Sequence, residues 1–377
     1  MSAALASIID RSRRDREEWR YTDVEKVLAA NAVRGDGVPT ALTVSRDPSI
    51  TPSPLVAGAP LPSLMADAAP CQRMVFVGGV WSQEQSTFGD LPTTILQQDA
   101  TGGYRLTLAA QSCLVTAPIE LVFVGAGEKS VRLAVEVGAN ASLTIIEHHI
   151  NDSDMAQVIE MDIRLDPQAK LVHDKIAHGM RGAGHFARTT VRVESGAYYR
   201  NFALIKDTRL MRNEMDVTLA GALAQCGLYG AMLLQNHEHA DVWTRVTHAA
   251  PHGISRQLYK AVVKDQARGV FQGKIKVAAG AQKTDGQQLC RALLLSDQAE
   301  MDAKPQLEID ADDVACSHGC AIGDLDSDAM FYLRTRGLSE SEARNLLLRA
   351  FVDEVIDTIQ ADDARGYVRD LAGGWMG

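Results

Sequence analysis

The sequence predicts a mainly β protein: a parallel β-helix, or solenoid, with helical regions at its N- and C-terminal ends. Apolar residues alternate with charged or small ones in successive short runs. Examples are Val131, Leu133, Val135 and Val137; Ile159, Met161, Ile163 and Leu165; and Met215, Val217 and Leu219. A period of two gives each strand one face for a core. Turns recur after such runs, at Gly138-Ala139, Gln168-Ala169, Gly196-Ala197 and Gly221-Ala222, with alanines 30, 28 and 25 residues apart. A strand and a turn repeating at that length is the mark of stacked structural repeats. No helical pattern interrupts the strands between about residues 115 and 315. That favours a β-helix over its alternative, a long β-sandwich with similar turns.

Residues 1 to about 35 carry rough helical spacing among many charges, with Trp19, Val24, Val27 and Leu28 as its apolar positions. Six of the twelve prolines then fall between Pro39 and Pro62. Proline fixes φ and removes a donor, so this stretch reads as an irregular linker. From Met74 the run MVFVGGVW reads as a strand and a tight turn. The strand pattern stops after Cys320. Asp326 is placed as the N-cap of a helix to about Arg336, and Gly337 stops it. Ser339 and Glu342 form a capping-box pair for a second helix. Its apolar stripe is Ala343, Leu346, Leu347, Ala350, Phe351, Val355, Ile356 and Ile359. Part of that stripe packs on the β-helix, and part is available to a partner. The resulting division is an N-terminal helical region and linker over 1–70, a β-helix core over 71–315 and a C-terminal helical region over 316–377.

The 377 residues carry a net charge of −10, with 46% hydrophobic and 5% aromatic residues. No continuous basic stripe exists to track phosphates, which argues against nucleic acid and anionic lipid as partners. No apolar stretch reaches the eighteen or so residues of a membrane span. The first apolar stretch, in MSAALASIIDRSRRDREEW, precedes the charges rather than following them, unlike a signal peptide. The expected location is the cytoplasm. There the six cysteines, Cys71, Cys113, Cys226, Cys290, Cys316 and Cys320, are expected to be reduced.

The densest cluster of chemistry-bearing residues is CSHGC, Cys316 to Cys320. On an extended strand Cys316, His318 and Cys320 project from one face. Thiolate and imidazole suit iron–sulfur units, Zn²⁺ and Cu⁺. Gly319 could break the strand and turn Cys320 elsewhere. Three ligands also fall short of a closed set, which invites a ligand from a second chain; the alternative is two packed thiols beside a hydrogen-bonded histidine. A second cluster, NHEHADVWTRVTHAAPH, holds His237, His239, His248 and His252. It reads either as metal ligands or as a ladder of hydrogen-bonded side chains. GAGEKS (125–130) lacks the spacing of a phosphate loop and is rejected as one.

The stretch from Ser255 to Val352 resembles the SufB/SufD family. The runs SRQLYKAVVKDQARGVFQGKIKV, AQKTDGQQ, KPQLEIDADDVACSHGCAIGDLD and FYLRTRGLSESEARNLLLRAF carry the likeness, with EEWRYTDV (17–24) near the start. CSHG followed by Ile-Gly-Asp-Leu-Asp favours the SufD branch. Cys320 stands where the family usually has alanine, and Cys290-Arg291-Ala292 replaces a more polar run. The resemblance implies a right-handed parallel β-helix and a non-catalytic scaffold subunit of an iron–sulfur cluster assembly complex with one SufB and two SufC ATPases. It implies SufC docking on the C-terminal helices. It also places His318, with Cys316 beside it, at a SufB–SufD interface as ligands of a transient iron–sulfur cluster, none being tightly bound by the isolated chain. Alone, the chain is expected to be able to pair with a second copy. Two other functions compete: a purely structural subunit without its own ligand, and a metal-dependent enzyme using His237, His239, His248 and His252.

Overall fold

The structure is a computed structural model that describes residues 3–27, 72–87, 94–100, 102–125, 130–151, 155–179 and 184–376. The proline-rich stretch, Cys71 and most of GAGEKS lie outside the described residues. The strands in chain order are β1 (Gln72–Val77), β2 (Val80–Thr87), β3 (Thr94–Gln98), β4 (Tyr104–Leu108), β5 (Cys113–Val124), β6 (Val131–Val137), β7 (Ser142–Ile150), β8 (Ala156–Leu165), β9 (Lys170–Ala177) and β10 (Gly184–Val193). They continue as β11 (Tyr198–Lys206), β12 (Leu210–Leu219), β13 (Gln225–Leu234), β14 (His239–His248), β15 (Ile254–Val263), β16 (Arg268–Val277), β17 (Asp285–Leu294), β18 (Glu300–Ile309) and β19 (Ala315–Gly323). The helices are α1 (Ala3–Arg14), α2 (Ser327–Thr335), α3 (Glu340–Ile356) and α4 (Asp362–Met376).

Successive strands alternate between two sheets. One runs β19-β17-β15-β13-β11-β9-β7-β5-β1-β2, the other β18-β16-β14-β12-β10-β8-β6-β4-β3. The coil-to-coil pairings from β4 and β5 onward are parallel, while the β1–β2 and β3–β4 hairpins are antiparallel and close the N-terminal end. This is a parallel β-solenoid of about seven turns. Each strand alternates because its inner residues meet the facing sheet. Val131, Leu133, Val135 and Val137 all lie in the core between the sheets.

The coil corners explain the repeat and correct its register. Gln111, Asn140, Gln168, Gly196, Leu223, His252 and Lys283 all have positive φ. The backbone N–H of each donates to a carbonyl in the next coil, as Asn140 does to Pro167 and Gln168 to Ser195. The buried alanines that follow are Ala141, Ala169, Ala197 and Ala224, 28, 28 and 27 residues apart. The first and last corners are therefore Asn140-Ala141 and Leu223-Ala224, two residues beyond the pairs picked from sequence. A small side chain fits there because the chain turns sharply into a dry core. Gly221 shows how tight the packing is: an added Cβ would lie 2.1 Å from the Ser195 backbone nitrogen.

Both outer faces are covered in part. The outer side of the ten-stranded sheet offers Ile176, Phe202, Leu204, Ala231, Leu233 and Val262 to the C-terminal helices. The outer side of the other sheet offers Ala156, Val158, Phe186 and Leu210 to Leu5, Ile8, Trp19 and Val24. Of the stretch to about residue 35 that reads as helical, α1 ends at Arg14, turns occupy 16–21, helix resumes at 24–27, and 28–35 lie outside the described residues. The turn lets Trp19 lie under the guanidinium of Arg212, 3.9 Å from its ring centre, while Arg212 donates to the Glu18 carbonyl at 3.0 Å. The expected boundary at 316 also moves. β19 carries the solenoid to Gly323, so the helical region begins after it.

Candidate functional site

β19 is the last strand of the ten-stranded sheet. It pairs with β17 on one side, and no strand among the described residues pairs with its other side. β18 ends the second sheet in the same way, so the C-terminal end of the solenoid is open. Gly319 does not interrupt β19, which runs continuously from Ala315 to Gly323. Cys316, His318 and Cys320 sit opposite Gly286, Gln288 and Cys290 of β17. Gln288 and Cys290 are buried inner residues, so all three side chains of the motif occupy the inner-facing column of the last coil.

The three differ in surroundings. Cys316 is half-buried and packs with Ile275, Val277, Leu307 and Val314. Burial raises its thiol pKa, opposed by a hydrogen bond from the Gly286 backbone. His318 is exposed. Below it the column continues through Gln288 and Gln257, joined at 3.5 Å, and Gln257 accepts from Thr244 at 2.8 Å. Gln288 Oε1 and Gln257 Nε2 have no hydrogen-bond partner. Cys320 is exposed and faces Cys290, which is buried. The Cys290 thiol and Cys320 share a hydrogen bond. It raises Cys290 well above the ordinary thiol range, where burial adds to the effect, and lowers Cys320 to about 7. Of the two sulfurs the exposed one carries negative charge more readily, because water solvates charge there and not at Cys290.

The histidine cluster does not assemble. His239 and His248 occupy opposite ends of β14, some 30 Å apart at the rise of a strand. His239 Nε2 bonds Thr22 Oγ1 at 3.0 Å, and His248 Nε2 bonds Ser255 Oγ at 2.9 Å. His252 is one of the left-handed corner residues, and His237 lies in the turn before β14. Burial lowers both strand histidines to about 4, so each is a neutral side chain; His248 Nδ1 has no hydrogen-bond partner. Among the described residues no group of three or more His, Cys, Asp or Glu is arranged to hold a metal.

Sequence reasoning missed a polar network buried in the solenoid. Glu147 accepts from His149 Nε2 at 2.7 Å and from His173 Nε2, with Lys175 Nζ at 3.5 Å. Tyr199 OH bonds His173 Nδ1 at 2.9 Å, and Lys175 donates to Asn213 Oδ1 at 3.1 Å. Burial opposes ionisation of Glu147, yet Lys175, His173 and the histidine hydrogen bonds outweigh it and hold the carboxyl well below its usual range. Both nitrogens of neighbouring His185 are unsatisfied, and burial keeps its ring neutral. The available signal was charge at inner positions of β7 and β9, in IIEHHI and KLVHDK.

The helices that follow β19 leave an apolar surface. α2 buries no residue, and its Phe331 and Tyr332 are 72% and 56% exposed. Leu346 of α3 is 48% exposed, and a groove between the two helices is lined by Met330, Phe331, Leu338 and Arg344. The capping box of Ser339 and Glu342 is present, as is the Asp326 cap. The buried face of α3 differs from the expected stripe: Leu348 and Val352 point into the sheet, while Leu346 and Ala350 face outward.

The family model for the SUF system FeS cluster assembly SufBD core domain matches residues 123–351, from the end of β5 to α3. This chain belongs to the SufBD family. Among its relatives is an iron–sulfur cluster assembly SufBD family protein of Synechocystis, 30% identical over 94% of this chain and 85% of that protein. The iron–sulfur cluster assembly protein SufD of Escherichia coli is 32% identical over 62% of this chain and 56% of that protein. A SufBD family protein of Mycobacterium tuberculosis is 26% identical over 93% and 85%. The SufBD core match contains β19 and its CSHGC motif, so the candidate site is built within the shared domain. No helix among the described residues is long and apolar enough to cross a membrane.

Proposed function

We propose that this chain is a SufD-type, non-catalytic scaffold subunit of a cytoplasmic SUF complex. Its open solenoid end forms, with a SufB chain, the wall of a site where a nascent iron–sulfur cluster is built. The observation that carries the proposal is the position of His318. It is an exposed imidazole on the terminal strand, whose outer edge pairs with no strand among the described residues, with the half-buried Cys316 thiol two residues away on the same face. Around it the open end is apolar, with Ile309 39% and Ile322 43% exposed and Pro305 on the facing edge strand. Such a rim suits burial against a second protein. An open strand edge can also add a partner strand.

In this mechanism the cluster is the cargo. His318 offers a nitrogen ligand and Cys316 a sulfur ligand, and a SufB chain supplies the remainder. A SufC ATPase docks on the apolar surface of Phe331, Tyr332 and Leu346. Nucleotide-driven movement of SufC is transmitted through α3, whose Leu348, Val352, Val355 and Ile356 are fixed to the sheet, and it opens the SufB contact. This chain contributes positions and ligands, and the ATPase contributes energy.

The test is to co-purify the complex with His318→Ala and assay iron and acid-labile sulfide. The proposal expects an intact complex with cluster content near background. An intact variant complex with normal iron and sulfide leaves the purely structural role instead.

A further inference from the structure

We infer that Cys290 and Cys320 form a reversible disulfide, a redox-responsive staple between the last two strands of the ten-stranded sheet. The two residues are register partners on adjacent parallel strands and lie on the same, inner-facing column. Neighbouring strands are about 4.8 Å apart, inside the Cα range a disulfide spans. Cys316 is excluded as a partner: four residues along one strand from Cys320, it is about 13 Å away. The other described thiols are equally misplaced, since Cys226 and Cys113 lie on β13 and β5, at least two strands from β17 in the sheet order.

The pair divides its labour by exposure. Cys320 is open to solvent. Cys290 is 1% exposed. A low-molecular-weight disulfide such as oxidised glutathione therefore meets Cys320 first. Cys320 gives its proton to water and attacks one glutathione sulfur, the S–S bond breaks, and a glutathione thiolate leaves and takes a proton back from water. Cys290 then loses its proton and attacks Cys320 Sγ, expelling the second glutathione thiolate, which is protonated in turn. Two electrons pass from the cysteine sulfurs to oxidised glutathione, and reduced glutathione reverses both steps. The inward position protects Cys290 from reacting alone, so the intramolecular disulfide is the end product.

The staple lies two residues from His318 on the same strand. When formed, it adds a covalent link to the backbone pairing of β19 with β17 and removes the Cys320 thiol from the open face. The thiol chemistry belongs to this chain alone; only its effect on cluster building rests on the proposed function.

The test uses the full chain in glutathione buffers of graded oxidised-to-reduced ratio, quenched with an alkylating agent and read by peptide mass spectrometry. The expected product is a peptide pair linked through Cys290 and Cys320 that dithiothreitol releases. In Cys290→Ser, Cys320 is expected to hold a glutathione adduct on the order of tenfold or more longer than in wild type, for want of the resolving thiol. A wild-type chain that retains glutathione on Cys320 overturns the inference. So does one in which both cysteines stay alkylatable under oxidising ratios that modify exposed Cys113. Cluster assays on the oxidised complex are separate: unchanged cluster content would count against the regulatory consequence and leave the disulfide standing.

Discussion

Glu147 shows why a solenoid can afford ionisable groups in its bore. Its carboxylate meets Lys175 and two histidine N–H groups with almost no exposure to solvent. Removing one partner of such a group costs more than the intact group contributes. Glu147→Ala leaves Lys175 buried without its counter-ion and is expected to lower stability by about 3–5 kcal/mol in urea denaturation; a loss within about 1 kcal/mol would show that the network relaxes or hydrates. Protonation probes the same principle. Burial lowers His178, His239 and His248 to about 4, while the unfolded chain protonates them near their ordinary values. Between those limits the unfolded state binds more protons, so stability rises with pH. It is full above about pH 6.5 and falls as the pH drops toward 4, by a few kcal/mol per histidine on the order-of-magnitude scale. Glu238, lifted by burial to about 7, acts in the opposite direction, and three histidines outweigh it. Urea midpoints should be lower at pH 5 than at pH 7.5; an equal or higher midpoint at pH 5 contradicts the assignment.

Single elements were legible where a local signal fixes them and less so where packing decides. The caps at Asp326 and Ser339 are read from sequence because their partners lie within three residues. The inner faces of β6, β8 and β12 are read because charged residues mark the other side. α3 is different: Leu346, Leu347 and Leu348 are consecutive, so apolar spacing alone does not choose the buried face, and the sheet selects Leu348 with Val352. α4 was read only as part of a C-terminal helical region, without bounds of its own. Gly373 and Gly374 weaken its helical signal, and it is held by Ala364, Val368, Ala372 and Trp375 against the sheet and α3. The two leucines of α3 separate stability from docking. Leu348→Ala is expected to cost about 2–5 kcal/mol and Leu346→Ala within about 0.5 kcal/mol, both read from thermal unfolding. Leu346→Ala should instead weaken SufC capture by the purified chain. Equal losses of stability would mean that the outward face of α3 is packed in solution.

Across the whole molecule, strand periodicity and a recurring turn revealed the solenoid, but not which coil rests on which residue. The partner of Cys320 is Cys290, thirty residues earlier, and no local pattern pairs them; the pairing follows once coil length and register are known. The bore network likewise joins β7, β9, β10, β11 and β12 through contacts that only stacking creates. The histidine run around β14 failed as a cluster for the converse reason, since residues near in sequence are spread along a ten-residue strand and its corners. The CSHGC motif was legible because its geometry is that of a single strand. The open edge of that strand is the proposed seat of a partner. Hydrogen–deuterium exchange over 315–323, measured on the chain alone and on the complex with SufB and SufC, tests this most directly. Slowed exchange there in the complex is the predicted result; exchange unchanged by SufB, with protection confined to the C-terminal helices, would contradict it.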